Sequence, residues 1–226
     1  MKPIVSFTLF GTEMKYYVGA EKNIVEINKL LPDWEVRIYY HSDFIINDYI
    51  EKLNILGAKL VDVKGIKFGE KESIHFPYFW RFLSFLENVP SIVRDLDSRF
   101  SEREVKYIKS WIESDKDYFI IRDHPWQAPV PSGLFGMKKK IEGFESHMVD
   151  FISNNELVWG TDQTILLFYM ENINKDSIFY CGYDSEFNYL TRDDKNFFIG
   201  MQMNENDEPT VPSGVQCLNY LNEINL

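Results

Sequence analysis

The sequence predicts an α/β domain with a mostly parallel central sheet flanked by helices. Three observations carry that expectation. From Pro3 to Asp95, short apolar segments of strand character alternate with segments of helical periodicity, a β-α-β-α-β-α-β pattern. The fourth strand segment follows Val89-Pro90-Ser91-Ile92-Val93 into Arg94-Asp95-Leu96-Asp97-Ser98-Arg99, and open α/β sheets bind ligands beyond the carboxyl ends of their strands. With 226 residues, 45% of them hydrophobic, the chain can bury one full core. No repeat, low-complexity tract or linker divides it, so a single domain over 1–226 is expected.

The elements follow in order. Pro3–Phe10 reads as the first strand, ending at Gly11. Gly19–Leu31 reads as a helix with Ile24, Ile27, Leu30 and Leu31 as its apolar stripe. Pro32-Asp33 turns the chain into a second strand, Trp34–Tyr40. Phe44–Leu56 forms a second helix with Gly57 as its C-terminal cap, and Lys59–Val63 a third strand. Ser73–Leu86 is rich in aromatics and reads as a helix whose regular part starts after Pro77. Pro90–Asp95 is the fourth strand. Ser101-Glu102-Arg103-Glu104 forms a capping box, Ser101 capping the Glu104 amide and Glu104 reaching back. The helix it opens carries Val105, Ile108, Trp111 and Ile112 at helical spacing. Beyond it come a strand at Tyr118–Ile121, a loop through His124-Pro125-Trp126 and Pro129-Val130-Pro131, and a strand at Ser132–Met137. Helices at Glu145–Ile152 and Asp162–Met170, short strands near Ile178 and Phe197, and a polar tail around Asn204–Glu208 complete the reading.

In an extended strand Asp95 and Asp97 point to one face and Leu96 to the core. Hard cations such as Mg2+ or Mn2+ take one or two carboxylates together with substrate phosphates. The pair therefore suits a cation bound beside a diphosphate. A solvated loop is the bland alternative for so short a motif in an acidic chain.

The net charge of −11 disfavours nucleic acid, whose phosphates demand Lys and Arg, and disfavours anionic membrane surfaces. Lys138-Lys139-Lys140 is a local basic patch that reads as a solvated segment end. Cys181 and Cys217 have no metal-ligand spacing and make no disulfide framework, which fits a reducing compartment. The start runs straight into a strand pattern, unlike a signal peptide, and no apolar run approaches the ~20 residues of a membrane span. A cytoplasmic protein is expected, peripheral at the membrane surface if its substrate is lipid-linked, and a monomer or weak homodimer.

Several further motifs stand in a fixed order: Arg103-Glu104, Trp111 on a helix, Arg122-Asp123-His124-Pro125, Gly133 and Gly136 on a strand, and Thr161-Asp162-Gln163. With Arg94 to Arg99 they cover most of the chain. In this order the chain resembles nucleotide-sugar-dependent glycosyltransferases of the GT-A fold, and most of all a group of small bacterial and viral glycosyltransferase-like proteins. It is more distantly similar to glycogenin-type galactosyltransferases. The resemblance implies a GT-A-like domain with a Rossmann-like N-terminal half: residues 1–100 for the nucleotide, 101–226 for sugar and acceptor. It implies a metal-dependent transferase that moves a sugar from a nucleotide-diphosphate-sugar, UDP-sugar favoured, to a hydroxyl of a glycan or glycolipid, as in polysaccharide biosynthesis.

Residue by residue, the resemblance places Asp95 and Asp97 at the donor and at Mn2+ or Mg2+. Relatives often supply a third ligand, a His, near the C-terminus; here Tyr180-Cys181-Gly182-Tyr183-Asp184 has none, and either Asp184 or water would take its place. Arg81 sits where relatives contact the donor. As a guanidinium it suits a pyrophosphate, or it pairs on a helix surface with an acid such as Glu87. Phe10 and Gly11, ending the first strand, and Gly133 belong to the donor side, and Arg192 would close over the diphosphate. Arg99 suits holding the carboxylate loop. His124 contacts an acceptor hydroxyl or a metal, or stabilises its loop through backbone. Trp126 is a stacking platform for an acceptor sugar or a packed loop residue. Asp162 caps its helix, orients the acceptor hydroxyl or acts as base, and Gln163 lines the sugar side. Phe79, Trp80, Phe82 and Phe85 read as core. Two rival functions stand beside transfer. A nucleotidyltransferase-like enzyme usually has a Gly-rich basic loop after the first strand, where this chain has Phe10-Gly11-Thr12-Glu13-Met14-Lys15. The other is a non-catalytic glycan-binding protein on a degenerate fold.

Overall fold

The computed structural model describes residues 1–140, 142–184, 197–210 and 213–223. Its N-terminal half alternates as expected: β1 (Ile4–Leu9), α1 (Met14–Leu30), β2 (Glu35–Tyr40), α2 (Asn47–Ile55) and β3 (Lys59–Asp62). A small hairpin, β4 (Lys67–Phe68) and β5 (Lys71–Glu72), precedes a 3-10 segment over Pro77–Leu86 and then β6 (Ser91–Arg94). The second half supplies α3 (Glu102–Glu113), β7 (Tyr118–Arg122), β8 (Leu134–Met137), α4 (Phe144–Asn154), α5 (Thr161–Met170), β9 (Ile178–Gly182) and α6 (Ser213–Glu223).

Seven strands form one sheet in the order β3-β2-β1-β6-β8-β7-β9. β8 is antiparallel to both its neighbours, and the other pairings are parallel. The strand order reverses between β1 and β6, the place where such sheets open a ligand crevice. Both faces are buried, as parallel sheets require. Along β6, Ile92 joins the core layer under α1 and α3, while Val93 joins the layer built on the 3-10 segment, α4 and α5. Phe79, Trp80, Phe82 and Phe85 lie in that second layer, as the sequence indicates.

The segment expected as an α-helix over Ser73–Leu86 is instead a short 3-10 turn at Ser73–His75 and a ten-residue 3-10 helix at Pro77–Leu86. The reason is its period. Phe76, Phe79, Phe82 and Phe85 recur every third residue and are all buried; in a 3-10 helix residues i and i+3 eclipse, so this spacing makes one apolar edge. Tyr78, Arg81 and Ser84 then fall on a second edge.

Other boundaries differ for local reasons. α1 begins at Met14 rather than Gly19, because Glu13 at its N-cap makes no side-chain cap and so leaves no start signal. The segment near Phe197 is no strand; it continues into isolated bridges, Ser98 with Gln202 and Met203 with Pro209. The polar tail is followed by α6. The capping box is half formed. Ser101 accepts from the Glu104 amide, but the Glu104 carboxylate turns inward and pairs with Arg94 (Nε to Oε1 2.8 Å), both side chains being buried.

That ion pair predicts an asymmetry. Glu104→Ala strands the Arg94 charge in the core and should cost about 3–5 kcal/mol. Ser101→Ala loses only a cap, about 1 kcal/mol. Urea denaturation of both variants checks this; equal small losses would show that the pair contributes little.

Candidate functional site

β1 and β6 end side by side, and the residues after them build the crevice. The Asp pair does not lie on the strand: β6 stops at Arg94, and Asp95-Leu96-Asp97 form a turn. Leu96 still enters the core, and both carboxylates line one cavity of about 390 Å³ with Phe10, Gly11, Tyr78 and Arg81. The turn is pressed against α1, because a Cβ at Gly19 would lie 1.8 Å from the Leu96 carbonyl oxygen. Gly133 has no room for a side chain either, since Asp95 Oδ2 occupies that space at 1.9 Å. Gly136, in contrast, accommodates Ile92 and Trp111 and belongs to the sheet packing.

Arg81 gathers the expected residues. Its buried guanidinium donates through Nη1 to Asp95 and through Nη2 to Asp162 Oδ2 (2.6 Å) and Ser132 Oγ (3.1 Å). It does not pair with Glu87, which binds Arg37. Nor does it point both Nη groups at an open diphosphate site, since carboxylates occupy them. Asp162 does not cap α5, whose N-cap is Gly160 without a side-chain cap; it sits in the first turn, its Oδ1 accepting from the Gln163 amide (3.0 Å) and its Oδ2 from Arg81.

The two aspartates are driven apart electrostatically. Desolvation alone would raise the Asp95 carboxyl; the adjoining Arg81 outweighs it and holds Asp95 below the ordinary carboxylate range. Asp97 is pushed up to about 6, first by burial and then by the Asp95 charge. Its ion-pair partner among the described residues is Lys15, at 3.7 Å, a residue the sequence reading did not single out. A buried carboxylate beside a second one and facing a cavity fits the donor set of a hard divalent ion. Among the described residues no group of three His, Cys, Asp or Glu is arranged to hold a metal. Asp184 does not complete the set. It follows β9, three strands across the sheet from β6, where it accepts from Tyr180 Oη (2.7 Å) and pairs with Arg122 (3.4 Å). Arg192 lies outside the described residues.

A second cavity, about 620 Å³, adjoins the first and shares Asp95, Ser132, Trp159, Gly160, Gln163 and Gln202 with it. His124 and Trp126 lie on its wall. His124 is fully buried, its Nδ1 accepting from the Trp126 amide (2.9 Å) and its Nε2 facing the Cys217 carbonyl (3.0 Å). The imidazole therefore stabilises its loop and has no ring nitrogen to offer an acceptor. Trp126 is half exposed and stacks on Tyr220 (centroids 4.7 Å apart). The sequence reading missed Trp159, 78% exposed beside both cavities. A Trp just before the Gly160-Thr161-Asp162 helix start was the available signal.

Two scaffolds hold these loops. Consecutive residues of α3 grip both: Glu104 binds Arg94, and Arg103 binds the buried Asp123. The segment 197–210 crosses beneath, with Met203 N donating to the Asp97 carbonyl (2.6 Å), Ile199 N to Asp123 Oδ2 (2.7 Å) and Arg99 Nε to Asp207 (2.7 Å).

No family model and no curated protein matches the sequence. Solved structures share its fold. The apo-form glycosyltransferase GlyE of Streptococcus pneumoniae TIGR4 aligns at 17% identity and TM-score 0.52, over 80% of this chain and 45% of its own, so this chain spans less than half of GlyE. Glucosyl-3-phosphoglycerate synthase of M. tuberculosis aligns at 10% identity and TM-score 0.52, over 80% and 70%. The 4-diphosphocytidyl-2C-methyl-D-erythritol synthase of Anaerococcus prevotii DSM 20548 aligns at 10% and 0.52, over 98% of both chains. The chain thus has a GT-A-like α/β fold as a single domain. No helix among the described residues is long and apolar enough to cross a membrane.

The Asp97 carboxyl should titrate near pH 6 in carbon-13 NMR, and Asp95→Asn, by removing the neighbouring charge, should lower that midpoint. With a folded pKa above the unfolded ~3.9, the native state keeps an extra proton between those values. This group's contribution to stability therefore falls as pH rises from about 4 to 6. An ordinary midpoint in the wild type would refute the burial and pairing described.

Proposed function

We propose that this protein is a glycosyltransferase that moves a sugar from a nucleotide-diphosphate donor, UDP-sugar favoured, to a hydroxyl of a glycan or lipid-linked acceptor. One observation carries this reading: two cavities meet at Asp95 and Gln163, one bordered by the β1 and β6 ends, the other by the loops of the second half. In this reading the ends of β1 and β6 border the donor side, and the loops of the second half border the acceptor side.

In the transfer, the bond between the sugar C1 and the diphosphate oxygen breaks, and its electron pair leaves with the diphosphate. The acceptor oxygen forms the new bond to C1 and gives up its proton to solvent or to the leaving phosphate. Phe10 and Gly11 border the nucleotide, Gly11 at φ +84° turning the chain away from β1. Asp95 and Asp97 would hold Mn2+ or Mg2+, which when bound offsets charge on the leaving diphosphate. Lys15 adds a cation beside Asp97. Arg81 and Asp162 act as positioning residues that fix Asp95 at the junction. The Gln163 amide, half-buried between the cavities, has no side-chain hydrogen-bond partner among the described residues, and it is placed to bind the transferred sugar.

Nucleotidyl transfer is a second reading. The end-to-end likeness to a synthase whose product carries a diphosphocytidyl group favours it. The loop Phe10–Lys15, with a single glycine, weighs against it.

A thermal-shift panel of UDP-, GDP-, TDP- and CMP-sugars, each with and without Mn2+, tests the reading. One nucleotide class should raise the melting temperature in a metal-dependent way; saturation at 100 Kd adds about 2.7 kcal/mol. Asp95→Asn and Asp97→Ala should keep the fold and abolish transfer. Full transfer in either variant would overturn the assignment, and pyrophosphate release from a nucleoside triphosphate and a sugar phosphate would establish the second reading instead.

A further inference from the structure

The larger cavity says what kind of acceptor fits. Its walls are mainly apolar, with Val130, Leu134, Leu167 and Phe198 among them. Two indoles, Trp126 and Trp159, stand at it with large exposed faces. Trp126 is backed by the Tyr220 ring and so is held as a rigid plate. Trp159 makes no ring contact among the described residues and is 78% exposed. Gln163, Gln202 and Thr164 add uncharged hydrogen-bonding groups. Among the described lining residues the one charged side chain is the carboxylate of Asp95; none is Lys or Arg.

An anionic ligand is poorly served here. Phosphate recognition needs guanidinium, ammonium or clustered backbone N–H donors, and among the described lining residues a phosphate in this cavity would meet the Asp95 carboxylate and no Lys or Arg. A pyranose suits the same walls, because its C–H face can lie on an indole while its hydroxyls reach amides and hydroxyls. The volume, about 620 Å³, falls in the range of small-ligand sites.

We infer that the acceptor is a neutral carbohydrate bound against Trp126 and Trp159, with the receiving hydroxyl directed to the Asp95–Gln163 junction, and that acceptors carrying phosphate on the bound sugar are rejected. This rests on the transferase reading for its chemistry, but not for its binding test.

The test is calorimetric binding of neutral maltose, lactose and N,N'-diacetylchitobiose, with glucose 6-phosphate and glucosamine 6-phosphate as charged probes, to the intact protein without donor. At least one neutral sugar should bind and the phosphorylated sugars should not. Trp159→Ala should weaken that binding about three- to tenfold, the scale of one aromatic contact. The exposure of Trp159 means its melting temperature should hold. Thr164→Lys, which adds a cation to the wall, should admit the phosphorylated sugars. Binding of phosphorylated sugars to the wild type, no binding by any neutral sugar, or unchanged affinity in Trp159→Ala would each overturn the inference. Failure of the transferase reading appears separately, as absence of a nucleotide-sugar shift in a protein that still binds neutral sugar.

Discussion

A single buried guanidinium organises this molecule. Arg81 comes from a 3-10 helix, Asp95 from the turn after β6 and Asp162 from the first turn of α5, so three elements distant in sequence meet on one side chain. Two carboxylates around one cation leave the cluster net negative, and the low local dielectric makes that arrangement costly unless each oxygen is well placed. Among the described residues the Arg81 Nε has no hydrogen-bond partner, so the cluster they form leaves one donor unsatisfied. The same cation differentiates the neighbouring acids: Asp95 beside it is kept ionised, while Asp97 on the far side of the turn is pushed up.

The geometry survives because the loops around it are tied from below. Arg94 and Glu104 anchor the start of the aspartate turn, and Arg94 Nη1 also donates to the Gly133 carbonyl (2.9 Å). The bond lies where β8 already pairs with β6, Arg94 opposite Leu134, and where Gly133 meets Asp95. Asp123 receives both Arg103 and the Ile199 amide, so the loop bearing His124 and Trp126 shares its anchor with the C-terminal segment. The consequence is that the walls of the two cavities are parts of one braced unit, with α3 as the common strut.

Most of the N-terminal architecture was legible because its signals are local. Strand alternation, the turn at Pro32-Asp33 and the Gly57 cap each depend on a few neighbouring residues. The Asp95–Asp97 pair and Asp162-Gln163 were also readable as site candidates. Their connection through Arg81 was not, since hydrogen bonds across 14 and 81 residues leave no trace in spacing. His124 was legible only as alternatives, an acceptor or metal contact or a loop residue bonded to backbone; its partners, a backbone amide and a carbonyl from α6, match the last, and the polar composition of α6 hid that element. Lys15 was missed for a related reason: with α1 read as starting at Gly19, the residue stood in a loop rather than on the first turn facing Asp97.

The three-residue phenylalanine period of the 3-10 helix has a consequence for how this chain can change over time. Each residue there turns the backbone by about 120°, against about 100° in an α-helix. Inserting or deleting one residue between Phe76 and Arg81 would carry the guanidinium a third of a revolution away from Asp95 and Asp162, with an aromatic ring taking its place. A change of three residues would restore the facing but carry the guanidinium about 6 Å along the axis, beyond hydrogen-bond reach of both carboxylates. The length of this stretch is therefore fixed twice, once by rotation and once by rise, and the phenylalanines act as a ruler on which the position of Arg81 is marked.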